Sequence, residues 1–366
     1  MRVNENILIS SLTTMRLGGP ARYVIEIERP EELPDAYGFA DAYHLPTFVL
    51  GYGANTIGHD EGFPGVIIIS RMKGIFETPT ADGVQLKVMS GEYWDDVVAY
   101  AASKSLTGIE GLSLIPGLTG AAPVQNIGAY GQEISDTLES IDVYDTTTSS
   151  FTTLSKSDLH FGYRQSILNT TESGRYFVIS ITLDLKYGQM SHPLYRSIEK
   201  YLSEHAITDL SPASIRSAVI AIRQSKLPDP LTEASAGSFF KNIFLDEAAT
   251  EVCESKGYPV HRTPSGGKLN SGWLIEHAGL SGKTFHGIRV SPKASLVLIN
   301  DSATSYADLA AARDAIISKV YDTYGFWLEQ EPVELVAHPI SPSASSAPSP
   351  STSPSVPPTP PTGAAK

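Results

Sequence analysis

The sequence predicts an α+β fold divided into three regions. Short apolar runs typical of β-strands alternate irregularly with helical patterns, and the chain shows neither a regular strand–helix–strand succession nor an internal repeat. Between residues 141 and 187 the pattern becomes mostly β-stranded. Two prolines within Lys226–Pro230 then end a helical segment, which marks the start of the third region.

The predicted elements of the first half are short. Apolar runs indicate strands at Arg22–Glu28, Thr47–Leu50, Val66–Ser70 and Leu86–Met89. Helical periodicity indicates helices at Glu31–His44 and Glu92–Lys104. The second helix would bury one face, formed by Trp94, Val97, Val98 and Ala101.

Longer elements are predicted in the second half. Apolar and polar residues alternate over Phe177–Leu185, which predicts a strand with one face buried and the other in water. A helix is expected over Ile215–Arg223. The last helix begins at Ser305, where Asp308 completes a capping-box spacing, and ends near Gly325. Its apolar face comprises Leu309, Ala312, Ile316 and Val320.

The composition excludes several classes of protein. The chain has 366 residues, 41% of them hydrophobic, which is ample apolar material for packed cores. Its 27 Lys and Arg stand against 40 Asp and Glu, and the net charge of −13 argues against a nucleic-acid-binding or anionic-membrane surface. One cysteine, Cys253, excludes a disulfide framework and a cysteine-rich metal site.

The apolar runs are all too short for a membrane protein. None approaches the roughly 18–20 residues of a membrane span, and Met1–Ser11 has too short an apolar stretch for a signal peptide. We therefore expect a cytoplasmic protein without membrane insertion.

The segment Pro339–Lys366 is predicted to be a disordered tail. It contains 9 Pro, 8 Ser and 3 Thr in 28 residues. Such a composition cannot bury enough apolar surface to offset the loss of chain entropy on folding. The folded part therefore comprises about 338 residues.

Two glycine-rich stretches are candidates for binding a phosphate-containing ligand. Leu50–Thr56 follows a predicted strand directly, and glycine lets backbone N–H groups approach a ligand closely. The stretch lacks a complete dinucleotide-binding spacing, so a simple turn is the alternative. Ile115–Gly131 holds four glycines, two prolines, Gln125 and Asn126. It suits neither helix nor strand, and a polar cofactor or an ordinary long loop would satisfy its backbone.

Three further segments carry reactive side chains. Arg164, among the aromatic residues of Phe161–Ser166, is either a stacked structural residue or a fork for a carboxylate or phosphate. Ser238 lies close to Lys241 without a Gly-x-Ser-x-Gly elbow, so it is a candidate proton donor or a capping residue, and not an esterase-type nucleophile. Glu331 is the last residue of Leu328–Glu331. The alternative for the acidic residues of this segment is that they form part of a solvated surface.

In this order, the segments resemble the UDP-N-acetylenolpyruvoylglucosamine reductase family, the flavoenzymes of peptidoglycan precursor synthesis, in its longer, tyrosine-loop subtype. The resemblance extends from about Leu12 to Val333, and its most specific parts are Pro123–Gly131 and Gly237–Asn242. The other matching segments are Thr14–Gly19, Leu50–Asn55, Phe161–Arg164, Lys226–Pro230, Gly272–Ile275 and Leu328–Glu331.

The resemblance implies an FAD-binding fold of the vanillyl-alcohol-oxidase type, made of two α+β subdomains, and a C-terminal α+β substrate-binding domain. The first subdomain would comprise residues 1–70 with 326–338, the second 71–226, and the substrate-binding domain 227–325. We expect a monomer whose partners are NADPH and a small-molecule UDP-sugar.

The resemblance also implies residue roles. NADPH would reduce FAD, and the reduced flavin would deliver hydride to the β-carbon of the enolpyruvyl ether. Ser238 matches the proton donor, and Arg164 and Glu331 match the pair that stabilises the developing enolate. Substrate-binding positions are Tyr195, Lys226, Asn242 and Tyr163. Cofactor-binding positions are Gly51, Tyr52, Gly53, Ala54, Asn55, Thr56, Pro116, Gly117, Gly120, Ala121, Gln125, Asn126, Gly128, Ala129 and Tyr130.

The proposed roles agree with elementary chemistry. Reduction at the β-carbon places negative charge on the carboxylate side, so donors directed there act mainly in the transition state. A serine hydroxyl can protonate a carbanion-like carbon if nearby cations stabilise the alkoxide, and Lys241 is the candidate cation. Glu331 can help only if it is protonated or bridged, so burial should raise its pKa.

Two departures from the family pattern and two alternatives stay open. Ala54 stands where the family has serine, which removes a hydroxyl from the first glycine-rich stretch, and Ile243 stands where proline is usual. One alternative is an FAD-linked oxidase of the same fold acting on a small alcohol. The other is a non-enzymatic flavin- or nucleotide-binding protein.

Overall fold

The computed structural model describes residues 1–191 and 194–336. The predicted tail, Pro339–Lys366, lies outside the described residues, as do His192 and Pro193.

The first group of elements forms a four-stranded sheet with strand order β1-β2-β5-β3. Strand β2 pairs antiparallel with β1, whereas β2 and β3 both pair parallel with β5. The one helix packs its buried residues against this sheet. The elements are β1 (Arg2–Leu8), β2 (Pro20–Ile27), α1 (Leu33–Ala42), β3 (Thr47–Val49), β4 (Thr56–Gly58) and β5 (Phe63–Ser70).

The second group is built around an antiparallel sheet with the path β12-β11-β13-β7-β6, to which β8 also pairs. The elements that form and cover it are β6 (Ile75–Pro79), β7 (Gly83–Met89), α2 (Trp94–Ser103), β8 (Leu106–Thr107), β9 (Gly128–Ala129), β10 (Gln132–Glu133), α3 (Ile134–Thr137), β11 (Leu138–Asp145), β12 (Ser150–Ser155) and β13 (Tyr176–Tyr187). A helical hairpin follows, α4 (Arg196–Glu204) and α5 (Pro212–Lys226).

The third group combines two small antiparallel sheets with three helices. Its elements are β14 (Ser235–Ser238), β15 (Ile243–Leu245), α6 (Glu247–Ser255), β16 (Val260–Thr263), β17 (Gly266–Leu269), α7 (Ser271–His277), β18 (Thr284–Phe285), β19 (Ile288–Val290), β20 (Val297–Asn300) and α8 (Tyr306–Tyr324). The chain then returns to the first group through β21 (Val333–Leu335), which pairs parallel with β4. The division of the chain at residues 70, 226 and 325 stays a prediction.

The predicted helices are present and bury the expected faces. Helix α1 lies inside the predicted Glu31–His44, and α2 buries all four apolar residues expected on its inner face. Helix α8 begins at the Ser305 capping box, and Gly325 ends it with a left-handed φ of 77°. Helix α5 is longer than predicted at both ends. Ser211 caps its N-terminus, so the helix starts three residues before the predicted start, and it continues to Lys226 because the next proline is Pro228.

The prediction that β13 has one buried and one wet face is wrong for the first half of the strand, whereas buried and partly exposed residues alternate in the second half. The register against β11 shifts between Asp142 and Val143, so one extra residue of β13 forms a bulge. The bulge turns Phe177 and Ile179 into the core of the first sheet and α1, whereas Val178, Ile181, Leu183 and Leu185 face the core of the second sheet. Both faces of the first half of β13 are therefore buried.

The hairpin α4–α5 has a small core of its own and is attached to α2 by an ion pair. Its buried residues include Ile198, Leu202 and Val219. Arg216 of α5 donates two hydrogen bonds, of 2.6 and 2.7 Å, to the carboxylate of Asp95 in α2. Because a two-pronged contact fixes a side chain in direction as well as distance, it also fixes the rotation of α5 about its axis.

The buried face of α8 gives a stability prediction. Ile316 is fully buried in the core of the third group, next to Leu309, Ala312 and Val320. We expect Ile316→Ala to lower the free energy of unfolding by about 2–5 kcal/mol, because it removes apolar contacts and leaves a cavity. Urea denaturation followed by circular dichroism measures the change.

Lys319→Ala is the matched control on the same helix. Lys319 is exposed and alanine is an equally good helix former, so the expected change is within about 0.5 kcal/mol. Equal effects of the two substitutions would contradict the assignment of the buried face.

Candidate active site

Both glycine-rich stretches and the three predicted catalytic side chains line one cavity. Arg164, Ser238 and Glu331 share this cavity although they are distant in the sequence. Eleven of the fifteen predicted cofactor-binding residues also line it: Gly51, Tyr52, Gly53, Ala54, Asn55, Thr56, Pro116, Gly117, Ala121, Gln125 and Gly128.

The first glycine-rich stretch is a tight turn between β3 and β4 that requires glycine at position 53. Gly53 has a φ of 73°, and a Cβ atom there would lie 2.1 Å from the carbonyl oxygen of Leu12. Its own carbonyl accepts a hydrogen bond from the backbone N–H of Thr14 at 3.1 Å. Asn55 then donates to the side-chain oxygen of Gln125 at 2.8 Å, which joins the two stretches.

The second stretch obtains much of its backbone hydrogen bonding from the protein itself. The carbonyl of Gly117 accepts from Trp94 N–H at 3.0 Å, and Gly120 N–H donates to the carbonyl of Ser90 at 3.0 Å. A short 3-10 turn covers Thr119–Ala121. Hydrogen bonds within the protein therefore satisfy part of this backbone, as the alternative of an ordinary loop predicted. A Cβ at Gly117 would meet nothing within 4 Å, so this position faces open space.

Arg164 and Glu331 form a half-buried ion pair at the cavity wall. Arg164 Nε donates to Glu331 Oε1 at 3.2 Å, and Arg164 Nη2 donates to the carbonyl of Gly128 at 2.9 Å. The backbone of Arg164 is left-handed, with φ 56°, at the end of a tight Gly162–Gln165 turn. Burial raises the pKa of the Glu331 carboxyl, and the charges of Arg164 and Lys241 only partly oppose that rise.

Ser238 reaches the cavity because strand β14 contains a bulge. The register against β20 shifts between Ser235 and Ser238, and Gly237 within the bulge has a φ of 70°. The next residue, Phe239, accepts a hydrogen bond from Glu331 N–H at 2.9 Å. Ser238 and Glu331 are therefore held on adjacent, hydrogen-bonded segments.

Lys241 is not available as a free cation beside Ser238. Its ammonium forms an ion pair with the carboxylate of Glu329, and its backbone N–H donates to the Glu329 carbonyl at 2.8 Å. The expectation that Lys241 stabilises a serine alkoxide is corrected accordingly, because Glu329 compensates much of its charge.

Four predicted cofactor-binding residues do not line the cavity: Gly120, Asn126, Ala129 and Tyr130. Gly120 packs against Ser90, where a Cβ would come within 2.6 Å of the serine Cβ. Asn126 is buried and donates to Glu133 at 2.8 Å and to the Gly162 carbonyl at 3.1 Å. It therefore stabilises the second glycine-rich stretch without lining the cavity. Tyr130 packs against the hairpin α4–α5.

The four predicted substrate-binding residues do not line the cavity, although Tyr163 and Lys226 are next in the chain to the lining residues Arg164 and Leu227. Tyr163 precedes Arg164 and contacts the ring of Phe244, with ring centres 4.8 Å apart. Asn242 accepts from Ser271 N–H at 3.2 Å. Lys226, at the end of α5, is exposed, and the Tyr195 ring meets that of Tyr130 at 5.7 Å.

Arg223 is the main site residue that sequence reasoning missed. It lines the cavity beside Leu227, and its buried Nε has no hydrogen-bond partner among the described residues. Burial lowers the pKa of the guanidinium, and Tyr130 and Asp95 partly oppose this. The available signal was its spacing of seven residues from Arg216, which places both arginines on the same face of α5.

The described residues contain neither a candidate metal site nor a candidate membrane-spanning helix. Among residues 1–191 and 194–336, no group of three or more His, Cys, Asp or Glu side chains is arranged to hold a metal ion. No helix in these ranges is long and apolar enough to cross a membrane.

Two protein-family profiles match the chain. One, described as an FAD binding domain, matches residues 21–154. The other, described as the C-terminal domain of UDP-N-acetylenolpyruvoylglucosamine reductase, matches residues 229–335.

Complete relatives align along most of the chain. The UDP-N-acetylenolpyruvoylglucosamine reductase of Alcanivorax borkumensis is 36% identical over 302 residues, which are 79% of this chain and 84% of the relative. That of Vibrio vulnificus is 32% identical over 333 residues, 90% of this chain and 94% of the relative. The crystal structure of the Thermus caldophilus enzyme superposes with a TM-score of 0.64 at 26% identity and covers 92% of this chain and 100% of its own.

These similarities confirm the α+β, FAD-binding fold and the oxidoreductase class predicted from the motifs, and neither alternative is favoured. The family assignment now has support along both halves of the chain, with the site residues of both halves on one cavity. The chain belongs to the UDP-N-acetylenolpyruvoylglucosamine reductase family.

Proposed function

We propose that the protein reduces UDP-N-acetylenolpyruvoylglucosamine to UDP-N-acetylmuramate with electrons that pass from NADPH through FAD, and that Ser238, Arg164 and Glu331 carry the chemical step. The observation that supports this most directly is the presence of all three side chains on one cavity that the glycine-rich stretches also line. We place the reaction, a step of peptidoglycan precursor synthesis, in the cytoplasm and expect a monomer to perform it.

The residues of the cavity fit a dinucleotide such as FAD. The turn at Gly51–Asn55 lines the cavity and Gly117 leaves room for a ligand. The Nε of Arg223 is buried and has no hydrogen-bond partner among residues 1–191 and 194–336. An unpaired buried donor costs about 1–3 kcal/mol unless a ligand satisfies it, so we assign Arg223 to a phosphate group. When bound, FAD supplies the hydride chemistry, and the protein supplies orientation and charge.

Arg164 and Glu331 are proposed to stabilise the enolate that develops on the carboxylate side of the substrate. Arg164 carries a permanent positive charge, and its contacts to Glu331 and Gly128 fix the plane of the guanidinium. Glu331 has a raised pKa, which favours the protonated carboxyl that can donate a hydrogen bond to an enolate oxygen. Pre-oriented donors of this kind act mainly in the transition state.

Ser238 is proposed to donate a proton to the α-carbon after hydride has reached the β-carbon. The bulge at Gly237 directs the hydroxyl into the cavity, next to the segment that carries Glu331. Because Lys241 is paired with Glu329, whereas burial favours the protonated form of the Arg164 partner Glu331, we assign stabilisation of the developing alkoxide to Arg164.

The substrate diphosphate is assigned to the rim of the cavity. Lys226 is exposed at the end of α5, one helical turn beyond Arg223. Tyr163 precedes the lining residue Arg164, the ring of Tyr195 contacts that of Tyr130, and Asn242 is oriented by its contact with Ser271. These four residues form a polar border that would meet the UDP part of the substrate.

Replacement of the proton donor should separate the two half-reactions. We expect Ser238→Ala to slow reoxidation of the reduced flavin by UDP-N-acetylenolpyruvoylglucosamine by about 10²–10⁴-fold, while NADPH reduces the flavin at a rate within twofold of the original. Anaerobic stopped-flow absorbance measures both rates. Ser255→Ala, which removes an exposed hydroxyl bonded only within α6, is the control. Survival of both half-reactions in Ser238→Ala would show that another group is the donor.

The raised pKa of Glu331 gives a pH dependence. The pKa of Glu331 lies above the usual glutamate value of about 4.3. If the protonated carboxyl stabilises the enolate, flavin reoxidation is fast below that pKa and slows as the pH rises through it. We expect Glu331→Gln to remove this limb, because the amide does not titrate. Reoxidation rates at several pH values, with NADPH reduction as the internal reference, test this; an unchanged limb in the variant would assign the titration to another group.

Gly117 offers a test of cofactor position. An added Cβ meets no protein atom within 4 Å, so we expect Gly117→Ala to keep the stability of the apoprotein and to weaken FAD binding by about tenfold, or about 1.4 kcal/mol. Titration of apoprotein with FAD, followed by fluorescence quenching, measures the affinity. Gly38→Ala in α1 also meets no atom and lies outside the cavity, so it should leave FAD affinity unchanged. Unchanged affinity in both variants would place the cofactor away from Gly117.

A further inference from the structure

We propose that Glu334 is a positioning residue for Glu331, acting through the side chain of Gln330. The inference rests on the proposed function, because it assigns Glu331 a part in the reaction. Glu334 itself does not line the cavity.

Glu334 lies at the centre of a hydrogen-bonded cluster that we call the Glu334 hub, formed by Glu334, His59, Tyr306, Arg313 and Gln330. Its Oε1 accepts hydrogen bonds from Tyr306 Oη at 2.8 Å, Arg313 Nη1 at 3.1 Å and Gln330 Nε2 at 3.3 Å. Its Oε2 lies 3.0 Å from His59 Nε2. One carboxylate thus contacts four side chains, one following β4, two from α8 and one from its own segment.

The partners of Glu334 belong to different groups of elements. His59 follows β4, which begins directly after the first glycine-rich stretch, whereas Tyr306 and Arg313 belong to α8 of the third group. The His59 and Tyr306 rings stack with centres 3.6 Å apart, and Tyr306 N–H donates to Asp60 at 2.8 Å. The Glu334 hub therefore fixes α8 relative to β4.

Gln330 connects the hub to the active site. Besides Glu334, it contacts Arg313 Nη1 through its side-chain oxygen at 3.1 Å and donates to the Pro332 carbonyl at 2.9 Å. Its backbone pairs with Phe240 in an antiparallel bridge, so the local chain is extended. Neighbouring side chains of an extended segment point to opposite sides, which directs Glu331 towards Arg164 when Gln330 is held in the hub.

The two carboxyls of this segment are in opposite electrostatic environments. Burial opposes ionisation of Glu334, but hydrogen bonds from Tyr306, His59 and Gln330 outweigh it and hold the pKa of Glu334 below its usual range. Burial raises the pKa of Glu331. Glu334 thus stays anionic and keeps its donors at neutral pH, while the carboxyl three residues earlier is closer to its protonated form.

The test compares Glu334→Leu with Glu334→Gln. The leucine variant removes every hub contact of the carboxylate, whereas glutamine retains an acceptor oxygen. We expect Glu334→Leu to slow substrate-dependent flavin reoxidation by about tenfold and to leave reduction by NADPH within twofold, and Glu334→Gln to recover most of the rate. A variant that changes neither half-reaction, or slows both equally, would overturn the proposal. Asp301→Asn, which breaks the Arg289–Asp301 pair in the third group, is the control and should change neither rate.

A second readout does not depend on turnover. Infrared difference spectra between each protein and its Glu331→Gln partner report the titration of the Glu331 carboxyl. We expect that titration to move towards the ordinary glutamate range in Glu334→Leu, because a looser segment admits water, and an unmoved titration would overturn the proposal. If substrate fails to reoxidise even the unmodified protein, the proposed function fails, and the spectra still decide the positioning role.

Gln330→Met provides the same test if Glu334→Leu does not fold. It removes the link between hub and segment while keeping the side-chain volume similar. The expected changes in rate and titration are the same, and their absence would likewise overturn the proposal.

Discussion

The backbone hydrogen bonds of the returning segment 328–335 are the interaction on which the active site depends. The first part of this segment pairs with Phe239–Lys241, immediately after Ser238, and its last part is strand β21, which pairs with β4. Those few residues therefore join the third group of elements to the turn that follows β3. The same hydrogen bonds place Glu331 opposite Arg164, which comes from the second group. A site drawn from three parts of the chain is thus assembled by one short extended strand.

The charge distribution has to be local because the protein as a whole is acidic. The substrate and NADPH are both polyanions, whereas the chain carries a net charge of −13, so its overall field does not attract them. Two arginines line the cavity, Arg164 and Arg223, and Glu331, the acidic partner of Arg164, has a raised pKa. Because a protonated Glu331 compensates little of the Arg164 charge, the cavity keeps a positive character within a negative protein.

The motifs predicted the residues that line the cavity better than the residues that hold those side chains in position. Ser238, Arg164, Glu331 and most of the glycine-rich residues could be found because their spacing is specific and local in the sequence. The partner of Lys241 could not, because Glu329 lies 88 residues away and only tertiary pairing brings the two together. Arg223 was missed because its position on the cavity wall depends on the rotation of α5 about its axis. The contact between Arg216 and Asp95, which lies in another region of the chain, sets that rotation. The bulge of β13 was also hidden, since periodicity predicts alternation and carries no information on a shift in strand pairing.

That bulge determines how the molecule can move. Strand β13 supplies Phe177 and Ile179 to one core and Ile181 to the next, so the first two groups of elements share a continuous wall. Separating them would expose both cores at once, so we expect the two groups to move together. The core of the third group includes Met15, Leu17 and Ile57 of the first group, so the hairpin α4–α5 is the part whose core lies mostly within itself. We therefore expect an opening that admits ligands to move the hairpin α4–α5, and with it Arg223, whereas the glycine-rich turns, Arg164 and Ser238 stay in place.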